Sequence, residues 1–139
     1  SDLAEAKLSP ELRNEALYYR AKAYTKQKAD KKAMEDYREL AKDTRNPYGA
    51  EAKYQVAQSL YDAKEYAAAE KELLNYIEQS TPHAYWLARS FVLLSDVYHA
   101  TGKDLDARQY LLSLQQNYQG NDDIESMIES RLSKLKVEN

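Results

Sequence analysis

Ala21, Tyr24, Ala33 and Tyr37 recur 36 residues later as Ala57, Leu60, Ala69 and Leu73, and 38 residues beyond those as Ser95, Tyr98, Ala107 and Leu111. Each set reads as a small side chain, a bulky one three residues on, then an Ala followed by another bulky residue. A period of this length belongs to one helix–turn–helix unit. Small residues let two antiparallel helices approach, and bulky neighbours fill the flanking space. A chain that carries this code three times is constrained to fold as three similar helical hairpins. None of them can bury its apolar face alone, so they must pack on one another.

Composition and punctuation agree with helices. Ala and Leu account for 36 residues, against 11 for Val, Ile and Thr, a bias toward helix formers over strand formers. Gly and Pro together number six in 139 residues, too few for the many turns of an all-β fold. Pro10, Pro47 and Pro82 each follow a small polar residue, namely Ser9, Asn46 and Thr81. That pair reads as an N-cap followed by Pro at the first helical position. Gly102 and Gly120 read as helix C-termini. Apolar residues at spacings of three and four predict seven helices, over residues 10–27, 31–44, 47–63, 66–79, 82–101, 104–118 and 122–136. The units run over residues 10–46, 47–81 and 82–120, and a last helix over 121–137 closes the array. Residues 2–8 read as one more helical turn or the end of an upstream unit.

The same sequence narrows the function classes. A hydrophobic fraction of 43% is too high for an intrinsically disordered chain. The longest strongly apolar run, Phe91–Leu94, is far short of the ~20 residues a membrane-spanning helix needs, so direct membrane insertion is not expected. With no cysteine, disulfides, thiol catalysis and Cys-based metal sites fall away. A net charge of -3 weighs against a nucleic-acid partner. The charge is uneven, +2 over residues 1–49 and -5 over 50–139. Lys22, Lys26, Lys28, Lys31 and Lys32 gather at the first predicted helix turn, as a solvated helix end or a docking patch for an acidic partner. Three scattered glycines make no phosphate-binding loop. Asp96 and His99 lie three apart on one helix, which reads as a solvated pair rather than the three or four convergent ligands a metal requires. Asp122 and Asp123 open the last helix, where negative charge suits the dipole. No catalytic, metal or cofactor site is expected, and the chain is not expected to be an enzyme. No basic-then-apolar leader opens it, and Ser1 in place of Met reads as an excised or processed start, so a segment of a longer protein is expected.

The stretches EALYYRAKAYTKQKADKKAMEDYREL, AKYQVAQSLYDAKEYAAAEKELLNYI and ARSFVLLSDVYHATGKDLDARQYLLSL each resemble one tetratricopeptide repeat. That family sets a large residue, a small one, then Tyr or Leu along its first helix. Leu17/Ala21/Tyr24, Lys53/Ala57/Leu60 and Phe91/Ser95/Tyr98 occupy those places. Lys53 departs from the pattern, with Tyr54 as the residue to take over its packing. The second-helix places match Ala33/Tyr37, Ala69/Leu73 and Ala107/Leu111. The resemblance covers about residues 15–119, and the final helix resembles the customary capping helix. It implies an all-α, right-handed α-solenoid of three repeats. The extra length per unit and the ending LLSLQQNYQGND resemble the bacterial cell-envelope branch, outer-membrane assembly lipoproteins and periplasmic cell-division coordinators. A periplasmic or outer-membrane-associated location in a Gram-negative bacterium follows from that branch, with the cytoplasm as the alternative.

The family's concave face is lined by the first helix of each unit and binds proteins or peptides. The resemblance therefore implies a groove of Glu15, Tyr18, Tyr19, Lys22 and Lys26 from unit one. Unit two offers Tyr54, Gln58, Tyr61 and Asp62, and unit three Arg89, Val92, Asp96 and His99. Tyr24, Tyr37, Tyr76 and Tyr98 fall at core spacings, whereas Tyr18, Tyr54 and Tyr61 read equally as groove contacts or inter-repeat packing. Trp86 reads as packing on the preceding unit. Some members hold a chaperone tail's carboxylate with a Lys/Asn clamp. The matching places here are Tyr18/Lys22, Tyr54/Gln58 and Val92/Asp96, where only Lys22 is basic, so that ligand is not expected. The alternative to a binding scaffold is a structural spacer or a self-association module.

Overall fold

A computed structural model describes residues 9–79 and 81–135, so the expectations for residues 2–8 and for the last helix beyond residue 135 lie outside the described residues. Among these residues the chain is all-helical, with helices α1 (Pro10–Lys26), α2 (Asp30–Leu40), α3 (Pro47–Asp62), α4 (Tyr66–Glu78), α5 (Ala84–Ala100), α6 (Asp104–Asn117) and α7 (Ile124–Leu132).

Two of the three expected helix starts are built as the caps require. Ser9 Oγ accepts from the Leu12 N–H at 3.3 Å, with Pro10 in the first turn. Asn46 Oδ1 accepts from the Gly49 N–H at 3.0 Å, with Pro47 in the first turn. The third start differs, because α5 begins at Ala84, beyond Pro82. Thr81 is buried and donates its hydroxyl to Tyr76 Oη at 3.0 Å. The cap position belongs to His83, two residues further on, and among the described residues no side chain caps this helix. Gly120 likewise lies past the end of α6, which stops with Tyr118 in an extended conformation.

The turn inside each hairpin is the same turn three times. Lys28, Lys64 and Gly102 adopt φ of 59°, 62° and 78°, at the 36- and 38-residue offsets of the sequence repeat. In each, the next residue's N–H reaches back to the bulky repeat residue. Ala29 donates to the Tyr24 carbonyl at 2.8 Å, Glu65 to Leu60 at 2.9 Å and Lys103 to Tyr98 at 2.7 Å. This is the left-handed helix termination that satisfies orphan carbonyls.

The small residues do what the repeat demands of them. Ala21, Ala57, Ala69 and Ala107 have no exposed surface, and Ser95 is 1% exposed. The Ser95 hydroxyl is satisfied within its own helix by the Val92 carbonyl at 2.6 Å. Leu17, Tyr37, Leu40, Leu73, Leu94 and Val97 fill the space around them in one cluster, and a second cluster joins Ala88, Val92, Leu111 and Leu114 to Ile124 and Ile128 of α7. Burial of each such Leu or Ile is worth about 1.5–3 kcal/mol. Every helix packs on its neighbours in the chain as far as α7. In addition α1 touches α3, α3 touches α5 and α5 touches α7, whereas among the described residues α2, α4 and α6 do not touch one another.

Lys53, the departure from the repeat pattern, has a partner. Its Nζ lies 2.8 Å from Glu72 Oε2 on the paired helix α4. The residues 38 positions on are Phe91 and Tyr110, whose rings meet edge-on at 5.7 Å. One contact across the hairpin is thus ionic in the second unit and aromatic in the third.

Candidate functional site

Polar and aromatic side chains meet at three junctions along the odd-numbered helices. At the first junction the Tyr18 hydroxyl donates to Glu51 Oε1 at 3.0 Å, and Lys22 Nζ donates to Glu51 Oε2 at 2.7 Å. Tyr18 also stacks on Tyr48 with ring centroids 4.6 Å apart, and Tyr19 meets the edge of Tyr18 from the solvent side at 5.3 Å. Burial raises the Tyr18 phenol pKa, and the Glu51 carboxylate beside it raises it further. For Lys22, burial works to lower the pKa, and Glu51 outweighs it, so the ammonium is held charged. Lys26 sits exposed in the last turn of α1, apart from this group.

At the second junction Tyr54 and Trp86 pack at 5.5 Å, the same contact as Tyr18–Tyr48 one unit on. Trp86 is therefore seated on the preceding unit, as its position implied. Tyr54 is only 5% exposed. Burial raises its phenol pKa, and the neighbouring Arg89 guanidinium pulls it back down. Its hydroxyl donates to Gln58 Oε1 at 2.8 Å and accepts from Arg89 Nη2 at 3.0 Å. Gln58 passes its own amide hydrogen to Asp62 Oδ1 at 2.9 Å.

At the third junction Asp96 is gripped by Arg131 of α7 through two bonds of 3.0 and 3.2 Å. Here a cleft of about 400 Å³ opens, lined by Gln58, Tyr61, Ser95, Asp96, His99, Arg131, Lys134 and Leu135. Burial raises the Tyr61 phenol pKa, with the Asp96 charge as the second cause. His99 is exposed and bonds its Nδ1 to Asp104 Oδ1 at 2.8 Å.

Four of the residues singled out in sequence, Gln58, Tyr61, Asp96 and His99, therefore meet in one cleft. Tyr18 and Lys22 belong to the first junction, and Tyr54 and Arg89 to the second. Val92 is a correction. It is 3% exposed and packs in the cluster of Leu111, Leu114, Ile124 and Ile128, because α7 covers the part of α5 that a shorter array would leave open. Glu51, Tyr85, Arg131 and Lys134 belong to this face and were missed. Arg131 and Lys134 lie beyond the three repeats, so the register carried no signal for them.

Chemically the face offers phenol, amide and guanidinium groups held by one another, which can bind but are already committed in their protonation. Among the described residues no group of three or more His, Asp or Glu is placed to hold a metal ion. Among the described residues no helix is long and apolar enough to cross a membrane. No protein-family model matches the sequence, and no curated protein matches it either.

Proposed function

We propose that this chain is a non-catalytic scaffold of the tetratricopeptide-like kind. Its three hairpins form a right-handed solenoid closed by α7, and a protein or peptide partner lies along the face of α1, α3 and α5. The observation that carries this reading is the pattern of helix contacts. Among the described residues odd helices touch and even helices do not, so the row bends with the odd helices on its inner side. An inner surface of this kind is the extended concave surface that repeat arrays use for binding. The groups on it are the right ones, since Tyr and Arg are enriched where interfaces concentrate their energy. They are also pre-ordered by mutual hydrogen bonds, which lowers the entropy lost on binding. The outward face of α7 is polar, with Glu125, Ser126, Glu129 and Ser130 exposed, which suits a capping helix.

The test is selection of peptides from a random display library on the immobilised chain, followed by fluorescence polarisation. Selected peptides should lose roughly tenfold in affinity to Tyr61→Ala, the size of a modest interface hot spot. Failure to select any peptide, or binders indifferent to Tyr61 and Gln58, would count against the reading.

A further inference from the structure

The first two junctions of the polar face share one register, and the three residues that occupy it differ by one unit of charge. At the first, the cation Lys22 and the carboxylate Glu51 meet over the Tyr18 hydroxyl. The corresponding residues one unit on are Tyr54 for Tyr18, Gln58 for Lys22 and Arg89 for Glu51. A neutral trio of phenol, ammonium and carboxylate thus becomes phenol, amide and guanidinium. The second junction carries a whole positive charge, and among the described residues no carboxylate lies within ion-pair reach of Arg89.

The guanidinium is held in place all the same. Nη1 donates to Tyr85 Oη at 2.9 Å and Nη2 to Tyr54 Oη at 3.0 Å. The rings of Tyr54, Tyr85 and Trp86 lie 4.8, 5.7 and 5.7 Å from its central carbon. Both phenols are fixed in turn, Tyr54 by Gln58 and Tyr85 by the exposed Asp123 at 3.0 Å. Among the described residues Arg89 meets carboxylates only through neutral groups, Asp123 by way of the Tyr85 phenol and Asp62 by way of Tyr54 and Gln58. Guanidinium has five N–H donors, of which the protein uses two. A half-buried cation supported only by neutral groups is short of the anion that its fork geometry fits.

We propose that Arg89 is the anchor for an acidic side chain, Asp or Glu, of the partner peptide, its spare N–H groups taking the carboxylate. This rests on the binding-face reading given above and names the partner's chemistry. A carboxylate suits the site better than a phosphate dianion. Asp62 is bonded to Gln58 and Asp123 to Tyr85 beside the site, so a second negative charge would meet repulsion. The two other cations lining the face between α3 and α7, Arg131 and Lys134, differ from it. Arg131 is spent on Asp96, and Lys134 is exposed at the rim of the cleft.

The probes are two capped tetrapeptides, one of four glutamates and one of four glutamines, titrated into the ¹⁵N-labelled chain while the arginine Nε–Hε resonances are followed. The glutamate peptide should shift the Arg89 resonance saturably, and the glutamine peptide should leave it in place. Arg89→Gln should weaken binding of the glutamate peptide roughly fivefold, the effect of one part-exposed charge-assisted contact, whereas Lys71→Gln, on the exposed surface of α4, should change it less than twofold. Arg89→Lys keeps the charge without the fork and should recover only part of the loss. Equal shifts with both peptides, or a glutamate peptide that responds to Lys71→Gln and not to Arg89→Gln, would overturn the proposal. Because the wild-type titration reads Arg89 directly, a poorly folded variant does not shield it. The two readings fail separately. Library peptides that bind the face without acids and ignore Arg89→Gln sink the anchor and spare the groove. A glutamate peptide that shifts Arg89 when the library yields no binder sinks the groove and leaves a carboxylate site.

Discussion

Replacing Lys64 by glycine should make the protein more stable, although Lys64 sits at a helix end where lysine is ordinarily welcome. Its φ of 62° lies in the left-handed region, which costs an L-residue about 1–2 kcal/mol. Glycine removes that strain and brings back about 0.5–1 kcal/mol of extra unfolded-state entropy. The net gain is then about 0.5–1 kcal/mol, or roughly 2–5 °C in Tm for a chain of this size. Little else is lost, since Lys64 is exposed and only its backbone is engaged, donating to Tyr61 at 2.9 Å. Lys28→Gly, with φ of 59°, should behave alike. The two sites are in different turns and should add within a few tenths of a kcal/mol. The reverse change, Gly102→Ala, should cost about 1 kcal/mol from conformation alone, because a Cβ there meets nothing within 4 Å. Urea unfolding followed by far-ultraviolet circular dichroism reads all four proteins. Lys→Gly variants no more stable than the parent would refute the claim that the three turns share one strained geometry.

Other outcomes follow from the same packing. Gly49→Ala should cost about 1–3 kcal/mol by overpacking. A Cβ on Gly49 would lie 2.8 Å from the Leu40 carbonyl oxygen and closer still to that of Asp43, backbone atoms that no rotamer can clear. A variant as stable as the parent in the urea assay would show that α2 and α3 do not approach this closely. Glu72→Tyr should destabilise by leaving Lys53 half-buried without its anion, and adding Lys53→Phe should recover about 1 kcal/mol through coupling of neighbours, by recreating the Phe91–Tyr110 contact. A cycle with no coupling would break that correspondence. Burial, and the hydrogen bond it donates to Asp122, push the Tyr118 phenol up to about 12. A phenol held above its unfolded value near 10 contributes stability that is complete below pH 10 and lost as pH rises toward 12. Stability should therefore fall across that window, and less steeply in Tyr118→Phe. An unchanged slope in the variant would remove Tyr118 as a source.

The repeat was legible because packing left its mark in residue size. Ala21, Ala57 and Ser95 stand where helices touch, and a larger side chain there would force them apart. The helix starts at Pro10 and Pro47 were legible because a cap and a proline act within four residues. Thr81–Pro82 has the same local form, yet Thr81 is buried with its hydroxyl on Tyr76 and the helix begins two residues beyond Pro82, at Ala84. Lys28 and Lys64 carried no sign of a left-handed turn, since lysine is not selected for that conformation and only alignment with Gly102 exposes them. On α1, α3 and α5, register places Tyr18, Tyr54 and Arg89 at the junctions between successive odd-numbered helices. Val92 was misplaced because the reading took the face of α5 as open along its whole length. The helix that covers it, α7, supplies Arg131 and the wall of the cleft, and lies outside the three repeats from which the register was drawn.

The central claim is that the inner row of helices is where a partner lies. The most direct measurement is the amide chemical-shift footprint of a library-selected peptide on the labelled chain. Perturbations should run along α1, α3 and α5 and reach α7 near Arg131, leaving α2, α4 and α6 quiet. A footprint centred on the even-numbered helices would contradict it.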